Sequence, residues 1–355
     1  MREVCICGRF DKGRKTSSGQ VIKTRIIYDA LCREIGGENI SVIDLYGGFF
    51  AVPRILWQLW RAFCSCKKII IMPAYRGVRV LTPVCGIIYN KIHKKEIHYI
   101  VIGGWLSSFI EKHKSLYKGL LRFDRIYVET STMEASLKKK GFENVVIMKN
   151  FKVLTELDVD DVAAAAESPF SVCTFSRVVA EKGIEDAIEA VITINEERKS
   201  VVYKLDIYGE ISPEYKERFE MLRREFPPYI KYKGLVPYDR SVEILKNYFV
   251  LLFPTKLYYS EGVPGTIIDA YASGVPVIAA KWESFADVVD DGRTGIGYDA
   301  DKPEELTLAL RRIAENPQTI NAMRDACLRK AKEFSPQAAM NILLKEMGVY
   351  KNRAG

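Results

Sequence analysis

The sequence predicts an α/β protein of two successive doubly wound domains, and three observations predict it. Its 355 residues exceed what one hydrophobic core usually supports. Both halves alternate short β-branched runs with helical patterns, which is how parallel sheets with crossover helices read. Between the halves, LTELDVDDVAAAAESP (154–169) breaks that rhythm with acidic and alanine-rich sequence ending in Pro169. The expected division is therefore a first domain over 1–153, a linker over 154–169, a second domain over 170–334, and a C-terminal helix over 335–355 packing back on the first.

In the first half the strands are expected at VCIC (4–7), ISVIDLY (40–46), KIIIMPA (68–74), IHYIVIG (97–103), RIYVET (125–130) and NVVIMKN (144–150). In the second they fall at FSVCTFS (170–176), KLDIYG (204–209), IKYKGLV (230–236), FVLLFPT (249–255), VPVIAA (275–280) and TGIGYD (294–299). Beyond residue 303 the pattern is helical. Two sheets of six strands fit this length better than one very wide sheet, and would put a cleft between their C-terminal strand edges, where such folds bind ligands.

Composition narrows the class. With 48% hydrophobic and 28% charged residues the chain is globular rather than disordered. It has no apolar run of about 18 residues, and its start, MREVCICGRFDK, lacks the apolar core of a signal peptide, so a cytosolic chain is expected. The eight cysteines form no zinc spacing: Cys64 and Cys66 make C-x-C, and the only histidines are His93, His98 and His113. Reduced, buried thiols are the expectation. Residues 1–167 hold 27 Lys and Arg against 17 Asp and Glu, whereas 168–355 hold 26 against 28. The basic character belongs to the first half, where a negatively charged partner would be met.

The most specific stretch is YYSEGVPGTIIDAYASGVPVIAA (258–280). Glu261 precedes Gly262, Val263 and Pro264; a helix then opens near Gly265 and Thr266, runs through Ile267 and Asp269, and closes at Gly274. The unpaired N–H groups and positive dipole end of such a helix suit a phosphate. An ordinary loop, helix and strand would account for the glycines but not for the two acids framing them. A second stretch, SRVVAEKGIEDAIEAV (176–191), sets Arg177 at the end of a strand and Lys182 just before Gly183 and an amphipathic helix. Two cations there suit a diphosphate, though a solvated Arg and Lys before a helix are also common.

Together these stretches resemble the retaining nucleotide-sugar glycosyltransferases of family 4, which have the GT-B fold of two Rossmann-like domains. Arg177, Lys182 and Gly183 match the family's R-x4-K-G setting, and Glu261 with Asp269 matches its Glu-x7-Glu element, with Asp in place of the second Glu. The resemblance implies that Arg177 and Lys182 bind the donor diphosphate, that Glu261 contacts the donor sugar region, and that Asp269 meets the ribose hydroxyls. It also implies that Gly234 and Leu235, in YKGLVPYDR (232–240), line the nucleobase pocket, with UDP the expected nucleotide. Retention of anomeric configuration is implied, the departing phosphate oxygen taking the acceptor's proton on the same face. With fixed cations to stabilise the leaving diphosphate and no D-x-D at a strand end, no metal and no cofactor are expected.

The first half matches the family more loosely. VIGGWLSSFIEKH (101–113) stands where many members carry a histidine near the acceptor, but reads Gly103, Gly104 and Trp105; His98 is expected as a strand residue and His113 as a surface one. GRFDKGRKT (8–16) falls out of register with a phosphate loop, because Arg14 separates Gly13 from Lys15. Ser17 and Gln20 fit a capping box, so a helix should begin near Gly19. Ser18, Gly19 and Gln20, with Gly104 and Trp105, are expected on the acceptor side, where Arg9, Lys12, Arg14 and Lys15 would meet an anionic acceptor.

The expected function is transfer of a sugar from a nucleotide diphosphate sugar to a lipid-linked or oligosaccharide acceptor in envelope, capsule or exopolysaccharide synthesis in a bacterial cytoplasm. The segment AVPRILWQLWRAFCSCKK (51–68) sets Trp57 and Trp60 beside arginines, suiting either contact with an anionic membrane at its inner face or packing of a helix on its own sheet. A sugar-nucleotide sensor without catalysis is one alternative. A basic nucleic-acid-binding protein is another, which would leave the donor-side motifs unexplained.

Overall fold

Among the described residues, backbone chemistry sorts the chain into twelve parallel strands in two sheets. The structure, a computed structural model, describes residues 2–11, 19–91, 95–155, 157–162, 167–237, 239–259 and 261–349. The chain forms two units, Met1–Lys152 with Pro336–Gly355, and Val153–Ser335.

The sheet of the first unit runs in the order β2-β1-β3-β4-β5-β6, with β1 at Arg2–Gly8, β2 at Ile40–Asp44, β3 at Cys66–Ile71, β4 at Glu96–Ile100, β5 at Arg125–Val128 and β6 at Val145–Ile147. In the centre, Val4 lies opposite Ile40 on one side and Lys68 on the other. Sheets covered on both faces need apolar runs rather than alternation, and Val4, Cys5, Ile6 and Cys7 are all fully buried. The helices Gly19–Ile35 and Pro336–Met347 cover one face, where Ile27 and Leu31 share a cluster with Met340 and Leu343. Arg125 donates to Glu346 at 2.5 Å. The helices Val52–Ser65, Tyr75–Lys91, Leu106–Lys112 and Ser131–Lys139 pack on the other face. Thr130 caps the last of them, its hydroxyl accepting from the Met133 N–H.

The second unit has the order β12-β11-β10-β7-β8-β9, with β7 at Phe170–Phe175, β8 at Tyr203–Tyr208, β9 at Ile230–Gly234, β10 at Val250–Phe253, β11 at Val277–Ala280 and β12 at Gly295–Tyr298. Each of the twelve strands overlaps the run expected for it. From β7 the sheet grows one way to β8 and β9 and the other way to β10, β11 and β12. That reversal creates a crevice outside the C-terminal ends of β7 and β10. Leu154 and Leu157, in the acidic segment, pack on this unit's apolar cluster around Ile267.

The cysteines form no disulfide: all eight are free, and six of them are buried. Burial pushes the Cys7 thiol well up, whereas a hydrogen bond with Cys5 lowers Cys66 to about 6. His98 sits within β4, buried, with Nδ1 2.9 Å from the Tyr127 hydroxyl, and desolvation lowers its pKa. His113 is not simply a surface residue; its ring stacks on Phe109 at 4.2 Å.

Candidate active site

The crevice of the second sheet collects the residues expected on the donor side. Arg177 stands two positions beyond the end of β7, and the loop that leaves β10 carries Tyr259 and Glu261. Between them rises Lys182, at the end of a single 3-10 turn, Ala180–Lys182. Gly183 follows with φ 62 and ψ 30, in the left-handed region, and starts the helix Ile184–Glu197. Ile184, Ala187, Ile188 and Val191 are the buried face of that helix, as their spacing requires.

Packing turns this turn into a cation mount. The Lys182 ammonium pairs with the Glu261 carboxylate, their side chains 10% and 13% exposed. It lies 4.7 Å from the ring centroid of Tyr259 and 5.0 Å from that of Phe253, within cation–π range. Arg177, exposed, donates to the Tyr259 hydroxyl at 2.7 Å. Two cations, a carboxylate and a phenol thus share one end of the sheet. Tyr259 and Phe253 were not singled out from the sequence, and the doublet Tyr258-Tyr259 beside Glu261 was the available signal.

The helix Gly265–Ala272 begins at the same place. Pro264 precedes it as the N-cap residue, with φ −66 and ψ 123, and makes no side-chain cap. The Thr266 hydroxyl donates to the carbonyl of Phe175, the last residue of β7, tying the helix start to the strand end that leads to Arg177. Trp282 donates to the Gly262 carbonyl at 3.3 Å, while Val263 and Ile267 are buried beneath. Asp269 lies one turn further on and is itself buried. At the neighbouring strand ends, the Gly209 N–H donates to the Gly234 carbonyl at 2.9 Å. Gly234 has φ 79, and Leu235 beyond it is largely exposed. Among the described residues no cluster of three or more His, Cys, Asp or Glu stands ready for a metal ion.

In the first unit the expected acceptor-side residues also sit at C-terminal strand ends. Gly19 opens its helix, and a Cβ there would meet no described atom within 4 Å; Ser18, Lys12, Arg14, Lys15 and Ser17 lie outside the described residues. The capping box expected of Ser17 and Gln20 lies partly outside the described residues; the Gln20 amide donates to the Met72 carbonyl, just past β3, at 2.7 Å. Gly104 and Trp105 follow β4, and the indole N–H donates to the Ile102 carbonyl at 2.8 Å. Arg9 forks onto Asp11 at 3.2 and 2.9 Å, so much of its charge is met within the loop.

The pair that sequence reasoning missed here is Lys23 with Glu129, 2.7 Å apart and only 12% and 6% exposed, with the Gly103 N–H donating to the same carboxylate oxygen at 3.2 Å. Removing the ammonium takes a cation from a nearly buried carboxylate, and breaking a buried pair costs up to about 3–5 kcal/mol. Lys23→Met is therefore expected to lower the denaturant midpoint markedly, and Lys23→Met with Glu129→Leu to recover part of the loss. A single variant as stable as the parent would show that water reaches the pair.

Residues 158–334 match the family Glycosyl transferases group 1. An uncharacterised glycosyltransferase of Methanocaldococcus jannaschii is 24% identical over 336 residues, covering 85% of this chain and 81% of the relative. Among solved structures, HepE of Anabaena, crystallised with UDP, superposes with a TM-score of 0.71 at 12% identity, over 98% of this chain and all of the other. TarM of S. aureus gives 0.63 at 16% identity over 79% of this chain, which spans about half of TarM, 54% of its length. Residues 158–334 thus carry the likeness to the glycosyl transferases group 1 family, and the chain as a whole has the two-domain α/β fold of the GT-B type.

Proposed function

We propose that this chain is a retaining glycosyltransferase that moves a sugar from a nucleotide diphosphate sugar, of the UDP type, to a hydroxyl of a lipid-linked or oligosaccharide acceptor in cell-envelope, capsule or exopolysaccharide synthesis. The observation that carries the reading is the Lys182–Glu261 pair beside Arg177 at the switch point of the second sheet. Fixed cations aimed at a leaving diphosphate stabilise charge as it develops, without reorganisation at the moment of reaction. In this reading Arg177, Lys182 and the N–H groups of Gly265 and Thr266 hold the diphosphate, the Ile267 N–H already donating to the Pro264 carbonyl at 3.1 Å. Gly262, Val263 and Pro264 shape the approach to it, Glu261 faces the donor sugar, Asp269 the ribose, and Gly234 with Leu235 the base. The bond from the anomeric carbon to phosphate breaks, the acceptor oxygen bonds to that carbon on the same face, and the acceptor's proton passes to the departing phosphate oxygen. Gly19, Gln20, Gly104 and Trp105, with Ser18, orient the acceptor. No divalent ion is required, and the work is done in a bacterial cytoplasm.

UDP is the first choice because HepE is a fold neighbour crystallised with it. A ligand that binds only the folded state stabilises it by about 2.7 kcal/mol at a hundred times its Kd. UDP and UDP-sugars are thus expected to raise the melting temperature, in EDTA as in magnesium, where GDP- and ADP-sugars do so less. The same shift with every nucleotide, or none with any, would overturn the donor assignment. Nucleotide bound but never released when acceptors are supplied would favour a sensor without catalysis.

A further inference from the structure

We propose that the outer face of the helices Val52–Ser65 and Tyr75–Lys91 is a docking surface for an anionic lipid bilayer. The first observation is in the sequence: residues 45–95 contain no Asp or Glu and nine Lys or Arg. At the chain's average of 45 acids in 355 residues, a stretch of that length would carry about six. The second is where the fold puts that stretch. Both helices lie on the same side of the first sheet, with Ile55, Leu59, Phe63, Val78 and Leu81 buried in one cluster. Their remaining faces point away from it.

Those faces are apolar as well as basic. Trp57 and Trp60 are 56% and 52% exposed, and Val80 and Ile87 of the second helix are exposed too. Arg61 lies 4.7 Å over the Trp57 ring, and Arg76 and Arg79 are exposed at the start of the second helix. Indole rings and cations together match the interfacial zone of a bilayer, where an amphipathic helix lies in the plane of the headgroups. The negative potential of an anionic leaflet attracts cations and repels acids, so two helices that carry no acid are the complementary ones. A nucleic-acid strand fits less well: Arg61 covers a face of Trp57 that a base would stack on, and Val80 and Ile87 offer bases nothing. Among the described residues no helix is long and apolar enough to cross a membrane, so the contact is peripheral.

The surface goes beyond the transfer reading and is tested without it, since nucleotide binding is followed separately by melting temperature. The full chain is mixed with vesicles of phosphatidylcholine alone or with roughly 30% phosphatidylglycerol, and floated. The parent is expected to float with the anionic vesicles and not with the neutral ones, less so as salt rises. Trp57→Ser with Trp60→Ser is expected to lower the bound fraction about tenfold; Arg61→Glu, Arg76→Glu and Arg79→Glu together should abolish it. Both variants should keep the parent's circular dichroism and its melting shift with UDP. In the parent, brominated lipid should quench tryptophan emission, which needs no variant to fold. Failure to float, equal flotation on neutral vesicles, flotation unchanged in both variants, absent quenching, or displacement from anionic vesicles by single-stranded RNA would each overturn the proposal.

Discussion

Lys182→Ala is expected to lower turnover by about 10²–10³, the typical loss when one preorganised donor is removed from a developing negative charge. The side chain is held where that loss would be felt. Glu261 pairs with its ammonium and the rings of Phe253 and Tyr259 flank it, so the cation is positioned before any ligand arrives. Lys182→Arg should not restore activity, because a planar fork does not replace a compact ammonium between two rings. Single-turnover rates with donor and acceptor both saturating are the measurement, with circular dichroism and melting as the check on folding. Near-normal turnover in a folded Lys182→Ala protein would remove this lysine from the mechanism. Because the substitution also leaves Glu261 largely buried without its ammonium, Lys182→Ala with Glu261→Gln serves as the second variant: it should regain stability and not turnover.

Gly183→Ala is expected to destabilise the second unit by more than about 3 kcal/mol and to abolish nucleotide binding with it. Two effects add. At φ 62 an L side chain is strained, and the added Cβ would meet the Pro254 carbonyl oxygen at 2.0 Å and its carbon at 2.9 Å. That oxygen is backbone at the end of β10, so the clash is relieved only by parting the Lys182 turn from the strand it leans on. The Lys256 N–H, which donates to the Glu181 carbonyl at 2.9 Å, would be pulled with it. Gly292→Ala is the comparison: its φ of 77 is also positive, but a Cβ there meets nothing within 4 Å, so the cost should be that of the backbone alone, about 1–2 kcal/mol. Equal melting temperatures for the two variants would contradict this account of the turn.

Tyr259 and the Lys23–Glu129 pair show where sequence reasoning stops. Both involve partners far apart in the chain: Arg177 and Tyr259 are 82 residues apart, Lys23 and Glu129 106. Only the order of strands in a sheet decides which loops meet. The helix Val52–Ser65 makes the same point within one element. Helical spacing alone sets Leu56, Leu59, Trp60 and Phe63 along one stripe and Arg54, Gln58, Arg61 and Ser65 along another. In the fold, Ile55, Leu59, Ala62 and Phe63 are buried and Trp60 is turned outward beside Arg61. The helix rotated to bury its aliphatic edge against the sheet, because the indoles could remain half in water at small cost.

By itself the sequence determined the twelve strands, the two-sheet α/β class, and the local segments that bear Arg177, Lys182, Glu261 and the helix start at Gly265. Those features depend on short-range physics: apolar β-branched runs seek a sheet interior, and glycine and proline mark turns wherever they stand. Tertiary structure decided the rest. It set Lys182 against Glu261 between two aromatic rings, tied Thr266 to the end of β7, turned Gln20 toward Met72, and placed Trp57 and Trp60 on the outside. Each of these is settled by which distant surfaces bury one another, and a side chain's partner is known only once the sheet order has brought its neighbours to the same edge.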